Sequence, residues 1–204
     1  MSVMTLSAFG QVFYPFVQPT TERMDSCIEP DEIRVLLTLV QSFKPETFLE
    51  IGTCRGGTAA RILAQSSSIK RYVAVDYVDA RGNSSMCQPE EIGMRAKGDS
   101  RYSLIVSPEG SGCSRLEKLE PDMVFIDGNH DYSWCLHDSL LAHRITKQGG
   151  VIIWHDFHTY HPGVNKTIYE LNEAKDRIVW VRDTSVCFEI VHDKDVLANG
   201  INET

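Results

Sequence analysis

Two short segments concentrate side chains that can move a proton or hold a cation. Asp127-Gly128-Asn129-His130-Asp131 follows an apolar run, and His155-Asp156-Phe157-His158 follows another. Asp127 and Asp156 are hard oxygen donors of the kind magnesium, calcium and manganese take. His155 shifts the balance towards manganese or a transition metal. His130 titrates near neutral pH and suits a general base. One histidine among seven carries little weight. Two charge-rich clusters placed directly after two buried runs carry more, because such placement is costly unless a ligand uses it.

A third segment, Glu50-Ile51-Gly52-Thr53-Cys54-Arg55-Gly56-Gly57-Thr58, has the make-up of a ligand-cradling turn. Gly52 permits a tight reversal and a close approach to the backbone, and Gly56 and Gly57 do so at a helix entry. Free amides at that entry favour a carboxylate or phosphate. The spacing is not GxGxxG, and the lysine of a phosphate loop is missing. Asp76 ends the next apolar run, where a carboxylate can accept both hydroxyls of a ribose. Gly98-Asp99-Ser100 offers a further polar turn that could meet an adenine edge, although its composition is also that of an ordinary turn.

The elements that must position these residues alternate. Pro30 opens a helix running to about Ser42, with Ile33, Leu36, Leu37 and Val40 at helical spacing. Strands are expected at Thr47–Ile51, Arg71–Val75, Met94–Lys97, Asp122–Ile126 and Val151–Trp154. Helices are expected at Thr58–Gln65, Tyr132–Ile145 and Asn165–Asn172. Arg177–Arg182 and Val186–His192 read as two strands joined by Asp183-Thr184-Ser185. Residues 77–93 read as a polar loop, and 100–118 give no clear pattern. The alternation predicts an α/β, Rossmann-like, doubly wound sheet of seven mostly parallel strands, with a C-terminal antiparallel hairpin strand. Ligands in such sheets sit at the carboxyl ends of strands, where the three clusters fall. Residues 1–29 show no period. They are expected as an extension that packs on the domain or over its pocket, broken by Pro15 and Pro19 and bearing Phe9, Phe13, Tyr14 and Phe16, ahead of one domain over 30–204.

With a net charge of -8 and no basic run, nucleic acid is not an expected partner. No segment approaches the roughly 20 apolar residues of a membrane span, and the N-terminus lacks a signal-peptide pattern. Six scattered cysteines, among them Cys27, without a CxxC pair read as free thiols, which points to the cytoplasm.

The chain resembles class I S-adenosylmethionine-dependent methyltransferases. Within them it is similar to the branch holding small O-methyltransferases, macrolide-sugar methyltransferases and cephalosporin hydroxylase-like proteins. FLEIGTCRGGTAARIL, VAVDY, KGDS, VFIDGNHDY and KQGGVIIWHDF carry the likeness, over roughly residues 45–192. The resemblance implies S-adenosylmethionine as cofactor, with Glu50, Gly52, Thr53, Cys54, Gly56, Gly57 and Thr58 around its methionine end. It places Asp76 and Tyr77 at the ribose, Asp99 and Ser100 at the adenine side, and Asp127 beside the cofactor. It also implies a divalent metal, Mg or Mn, on Asp127, His155 and Asp156, with His130 as base and Asp127 sharing the catalysis. His155 departs from the pattern, since metal-dependent relatives usually carry a carboxylate there. The implied reaction is O-methylation of a small-molecule acceptor, with a homo-oligomer left open. Two alternatives stand beside it: a nicotinamide-dinucleotide oxidoreductase, and a catalytically silent binding module of the same fold.

Overall fold

The computed structural model describes residues 1–13, 17, 28–79, 81–82, 84 and 86–192. Tyr14, Pro15, Phe16, Pro19, Cys27, Asn83 and Ser85 lie outside the described residues. One sheet contains eight strands in the spatial order β1 (Ser2–Thr5), β7 (Val179–Arg182), β8 (Cys187–Ile190), β6 (Val151–Trp154), β5 (Met123–Ile126), β2 (Thr47–Ile51), β3 (Arg71–Tyr77) and β4 (Tyr102–Ser107). Only β8 runs antiparallel to its neighbours, β6 and β7. This is the expected doubly wound, mostly parallel sheet, with one strand more than the seven expected.

The added strand is β1, which pairs in parallel with β7, Ser2 opposite Val179. Helix α1 (Leu6–Val12) follows directly, and the Thr5 hydroxyl caps it by accepting from the Ala8 amide at 3.1 Å. Phe9 of α1 is fully buried, its ring edge-on to Phe188. Residues 2–12 thus pack on the domain through a strand and a helix, elements that the lack of a period did not reveal. A four-residue strand is too short to show a period, and its partner lies near the other end of the chain.

Helices cover both faces. α2 (Pro30–Phe43) and α3 (Gly57–Gln65) share one core cluster with Phe48, Phe125 and Ile153. α4 (Tyr132–Ile145) and α5 (Pro162–Lys175) share the other with Leu49, Ile51, Val124 and Ile152. Successive strand residues point to opposite faces, so β5 and β6 must be apolar throughout. All four residues of each are buried. The expected strand at Met94–Lys97 is a turn, and Met94 is exposed. The strand is β4, inside the stretch that gave no pattern. As a sheet edge it leaves Leu104 and Val106 exposed, which blurs the alternation that reveals a strand. No helix among the described residues is long and apolar enough to cross a membrane.

Candidate active site

β2 lies between β3 and β5, so the winding reverses there and a crevice opens beyond the carboxyl ends. Gly52 is the first residue past β2. Its φ is +84°, and a Cβ there would lie 2.2 Å from the Asp127 carbonyl oxygen. Only glycine lets the ends of β2 and β5 come this close. The Asp127 amide donates to the Ile51 carbonyl at 2.8 Å, and the Gly52 amide to Val75 at 2.9 Å. Thr53 and Cys54 continue the turn, and Gly56, at φ +78°, caps α3. Gly57 and Thr58 are buried in its first turn. Glu91 and Gly93 lie against this turn, the Gly93 amide donating to the Cys54 carbonyl at 2.8 Å and Arg55 pairing with Glu91 at 3.0 Å.

Asp76 stands where the sequence put it. One carboxylate oxygen accepts from the Thr53 and Cys54 amides at 3.1 and 2.7 Å, and the other from Tyr77 at 2.7 Å. A carboxylate has about four acceptor sites, so Asp76 shapes the turn and keeps capacity towards the crevice. Glu50 is 1% exposed and accepts from the Thr53 hydroxyl at 2.6 Å. Burial pushes its carboxyl up to about 8, and the charges of Asp127 and Asp76 push the same way. Asp76 is raised too, by burial first and Asp127 last. Three carboxyl groups thus crowd one turn, and burial with the charges of Asp127 and Asp76 favours the protonated form of Glu50.

That crowding sets a pH dependence. A carboxyl raised from 4.5 in the unfolded chain to about 8 in the fold contributes stability that is complete below pH 4.5 and lost as pH rises through 8. Glu50→Gln removes this slope and keeps an acceptor for Thr53. Thermal melts at pH 5 and pH 9 should show the variant gaining on the wild type by about 4 °C or more at the higher pH, the equivalent of one to two kcal/mol in a chain of this size. Parallel melting curves at both values would mean that Glu50 ionises freely.

The second group of carboxylates meets the histidines. His155 is 6% exposed, with Nδ1 3.0 Å from Asp127 Oδ1 and 3.2 Å from Asp156 Oδ2. Its Nε2 lies 3.0 Å from Glu32 Oε2 on α2. Burial opposes a charge on this ring, but Asp127, Asp156 and Glu32 outweigh it and hold the imidazole well above its usual range. Asp156 is held well below the carboxylate range: its burial is outweighed by bonds from His130 and His155. Its φ of +60° is a left-handed conformation that aspartate tolerates better than most residues. His130 Nε2 is 2.8 Å from Asp156 Oδ2, and that bond raises the His130 pKa. The His161 ring stacks on His130 with centroids 3.8 Å apart. Beside them lies a cleft of about 410 Å³ lined by His130, Asp131, Tyr132, His161, Gly163 and Lys166.

The structure therefore brings Glu50, Gly52, Thr53, Cys54, Gly56, Gly57, Thr58, Asp76, Tyr77, Asp127, His130, His155 and Asp156 to the same end of the sheet. Asp99 and Ser100 are not among them, which is a correction. They precede β4, at its amino end, because the strand lies after the Gly-Asp-Ser turn and not before it. Asp99 pairs with Arg101, which also donates to the carbonyls of Leu63 and Ser66, at the far end of α3. At the carboxyl end of β4 stand Ser107 and the Gly110–Gly112 turn, which lies against Tyr77. Ser111 of that turn bonds the buried Asp138 of α4. Glu32 and Asp138 escaped the sequence reading, while Ser107 and His161 lie in stretches to which it gave no individual roles. Glu32 had a signal, being acidic on a helix stripe whose neighbours are all buried.

The fold is that of class I S-adenosylmethionine-dependent methyltransferases, as the sequence motifs implied. A model of the family described as methyltransferase domain matches residues 49–157, more than half of the chain, and the chain belongs to that family. It is 25% identical over 162 residues to an uncharacterized protein of Acanthamoeba polyphaga mimivirus, covering 69% of this chain and 68% of the other. Among solved structures, a methyltransferase of Podospora anserina with bound SAH superposes with a TM-score of 0.61 at 16% identity, over 92% of this chain and 87% of that one. The O-methyltransferase TomG of Streptomyces achromogenes, in complex with SAM, gives 0.59 at 16%, over 92% and 89%.

Proposed function

We propose that this chain transfers the methyl group of S-adenosylmethionine to the hydroxyl of a small-molecule acceptor. The observation that carries this reading is the convergence of Glu50, Asp76 and Asp127 on the Gly52 turn, with His130 three residues past Asp127. The charges of Asp76 and Asp127 favour a ligand bearing a sulfonium and an ammonium, and disfavour the pyrophosphate of a nicotinamide dinucleotide. The SAH- and SAM-bound relatives of this fold support the same cofactor.

The acceptor hydroxyl would enter by the cleft beside His130 and His161. Its oxygen attacks the methyl carbon in line, the carbon–sulfur bond breaks, and S-adenosylhomocysteine leaves. Alignment of this kind supplies roughly 7–11 kcal/mol of barrier lowering. Ionised Asp156 accepts a hydrogen bond and cannot donate one, so His130 carries its proton on Nε2 and offers Nδ1 as the base. Asp127, His155 and Asp156 fit a divalent cation: their ligand atoms lie within 4.8 Å of one another and mix two oxygens with one nitrogen. A cation held there would lower the pKa of the acceptor hydroxyl.

Calorimetric titration of the intact chain with SAH and with NADH tests the cofactor. SAH should bind and NADH should not; the reverse would replace the methyltransferase reading with the oxidoreductase one. Methyl transfer to a panel of phenolic and sugar hydroxyls then tests the acceptor class.

A further inference from the structure

The bond between Glu32 and His155 joins residues 123 positions apart, and both partners are buried. Glu32 sits in the first turn of α2 and completes a capping box, its Oε2 accepting from the Glu29 amide at 2.9 Å. Its Oε1 accepts from the Ser185 amide at 3.0 Å and from the Ser185 hydroxyl. The carboxylate is thus held by partners from α2, from the β7–β8 turn and from His155, and it has no freedom to rotate. A helix cap needs only the first of these. The rest aim one oxygen at His155 Nε2.

An ionised carboxylate only accepts. His155 therefore donates from Nε2 to Glu32 and from Nδ1 towards Asp127 and Asp156. A cation on Nδ1 would replace that second proton, while Glu32 holds the first and fixes the direction of the ring. Histidines that bind metals are commonly oriented in this way, by a carboxylate on the far nitrogen. Imidazole nitrogen suits zinc, iron and nickel, and Mn2+ begins the same first-row affinity series, whereas Mg2+ prefers oxygen and gives up its waters reluctantly. We propose that Glu32 is a positioning residue that locks His155 in its Nε2–H tautomer, so that Nδ1, Asp127 and Asp156 form a site preferring a transition-type divalent cation to Mg2+. The proposal rests on the metal-assisted reading of this site, and it adds a residue, Glu32, that the motifs do not carry.

The test uses the full chain and the metals alone. Mn2+ uptake is followed by the loss of its free electron-paramagnetic-resonance signal, with Mg2+ as competitor, in wild type and Glu32→Gln. The wild type should take up one Mn2+ and need at least about tenfold more Mg2+ to release it. Glu32→Gln should weaken Mn2+ binding about 10–100-fold, the usual effect of losing such an orienting partner. Its SAH affinity should stay at the wild-type value. Equal Mn2+ binding by the two proteins, preference for Mg2+, or no uptake by the wild type would each overturn the proposal. Failure of the methyltransferase reading would instead show as absent SAH binding. Should Glu32→Gln not fold, long-range proton–nitrogen spectra of the wild type with Zn2+ decide the matter. They should show His155 protonated at Nε2 and metal-bound at Nδ1, and the opposite tautomer overturns the proposal.

Discussion

Replacing His130 with alanine should lower the rate of methyl transfer by about 10²–10⁴-fold, the usual contribution of a positioned general base, while SAH binding changes little. His130 lies past the end of β5, at the cleft, and its ring touches Asp156 and His161 rather than the Gly52 turn. Its loss therefore removes a proton acceptor without disturbing the cofactor cradle. Asp156→Asn should share part of the defect, because an amide no longer fixes the Nε2–H form. Single-turnover rates at saturating acceptor, with SAH affinity measured in parallel, separate the two effects. An unchanged rate would remove His130 from the chemistry. A matching loss of SAH affinity would assign it to cofactor binding.

How much of this was open to sequence reasoning depended on distance along the chain. The Gly52 turn, Asp76, Asp127 and His155-Asp156 each follow a buried apolar strand, and strand-then-polar is a local pattern. The parallel pairing of those strands brings their ends together, so four separate segments could be placed in one crevice. Asp99 shows the limit. Gly-Asp-Ser matched a motif, but the motif's meaning rests on which side of it the strand lies, and β4 is an edge strand whose half-exposed Leu104 and Val106 hide it. β1 escaped for a related reason, being four residues paired with a strand over 170 positions later. Glu32 looked like an ordinary helix-start acid, and its cap is real. Its bond to His155 has no local signature at all. The acidic character of the cofactor turn lay between these cases: Glu50 and Asp76 were visible, but only the fold shows burial, Asp127 and Asp76 together raising the Glu50 pKa.

Gly52→Ala should be strongly destabilising although it adds a single methyl group. The added Cβ would lie 2.2 Å from the Asp127 carbonyl oxygen and 2.6 Å from the Gly128 Cα, all of it backbone that cannot rotate aside. Relief requires the ends of β2 and β5 to part, which breaks the Asp127-to-Ile51 bond and displaces Thr53 and Cys54 from Asp76. Overpacking of this kind, added to the strain of a left-handed alanine, costs roughly 3 kcal/mol or more. The melting temperature should fall by about 6 °C or more, and SAH affinity should fall with it. Gly149→Ala supplies the control. Gly149 also has a positive φ, +79°, but a Cβ added there would meet nothing within 4 Å, so it reports the strain without the collision. The Gly149 variant should lose about 1–2 kcal/mol and bind SAH as the wild type does. If Gly52→Ala melts no lower than Gly149→Ala and keeps its SAH affinity, the turn serves only to reverse the chain. A larger loss in both measurements would mean that the contact between the two strand ends builds the cofactor site.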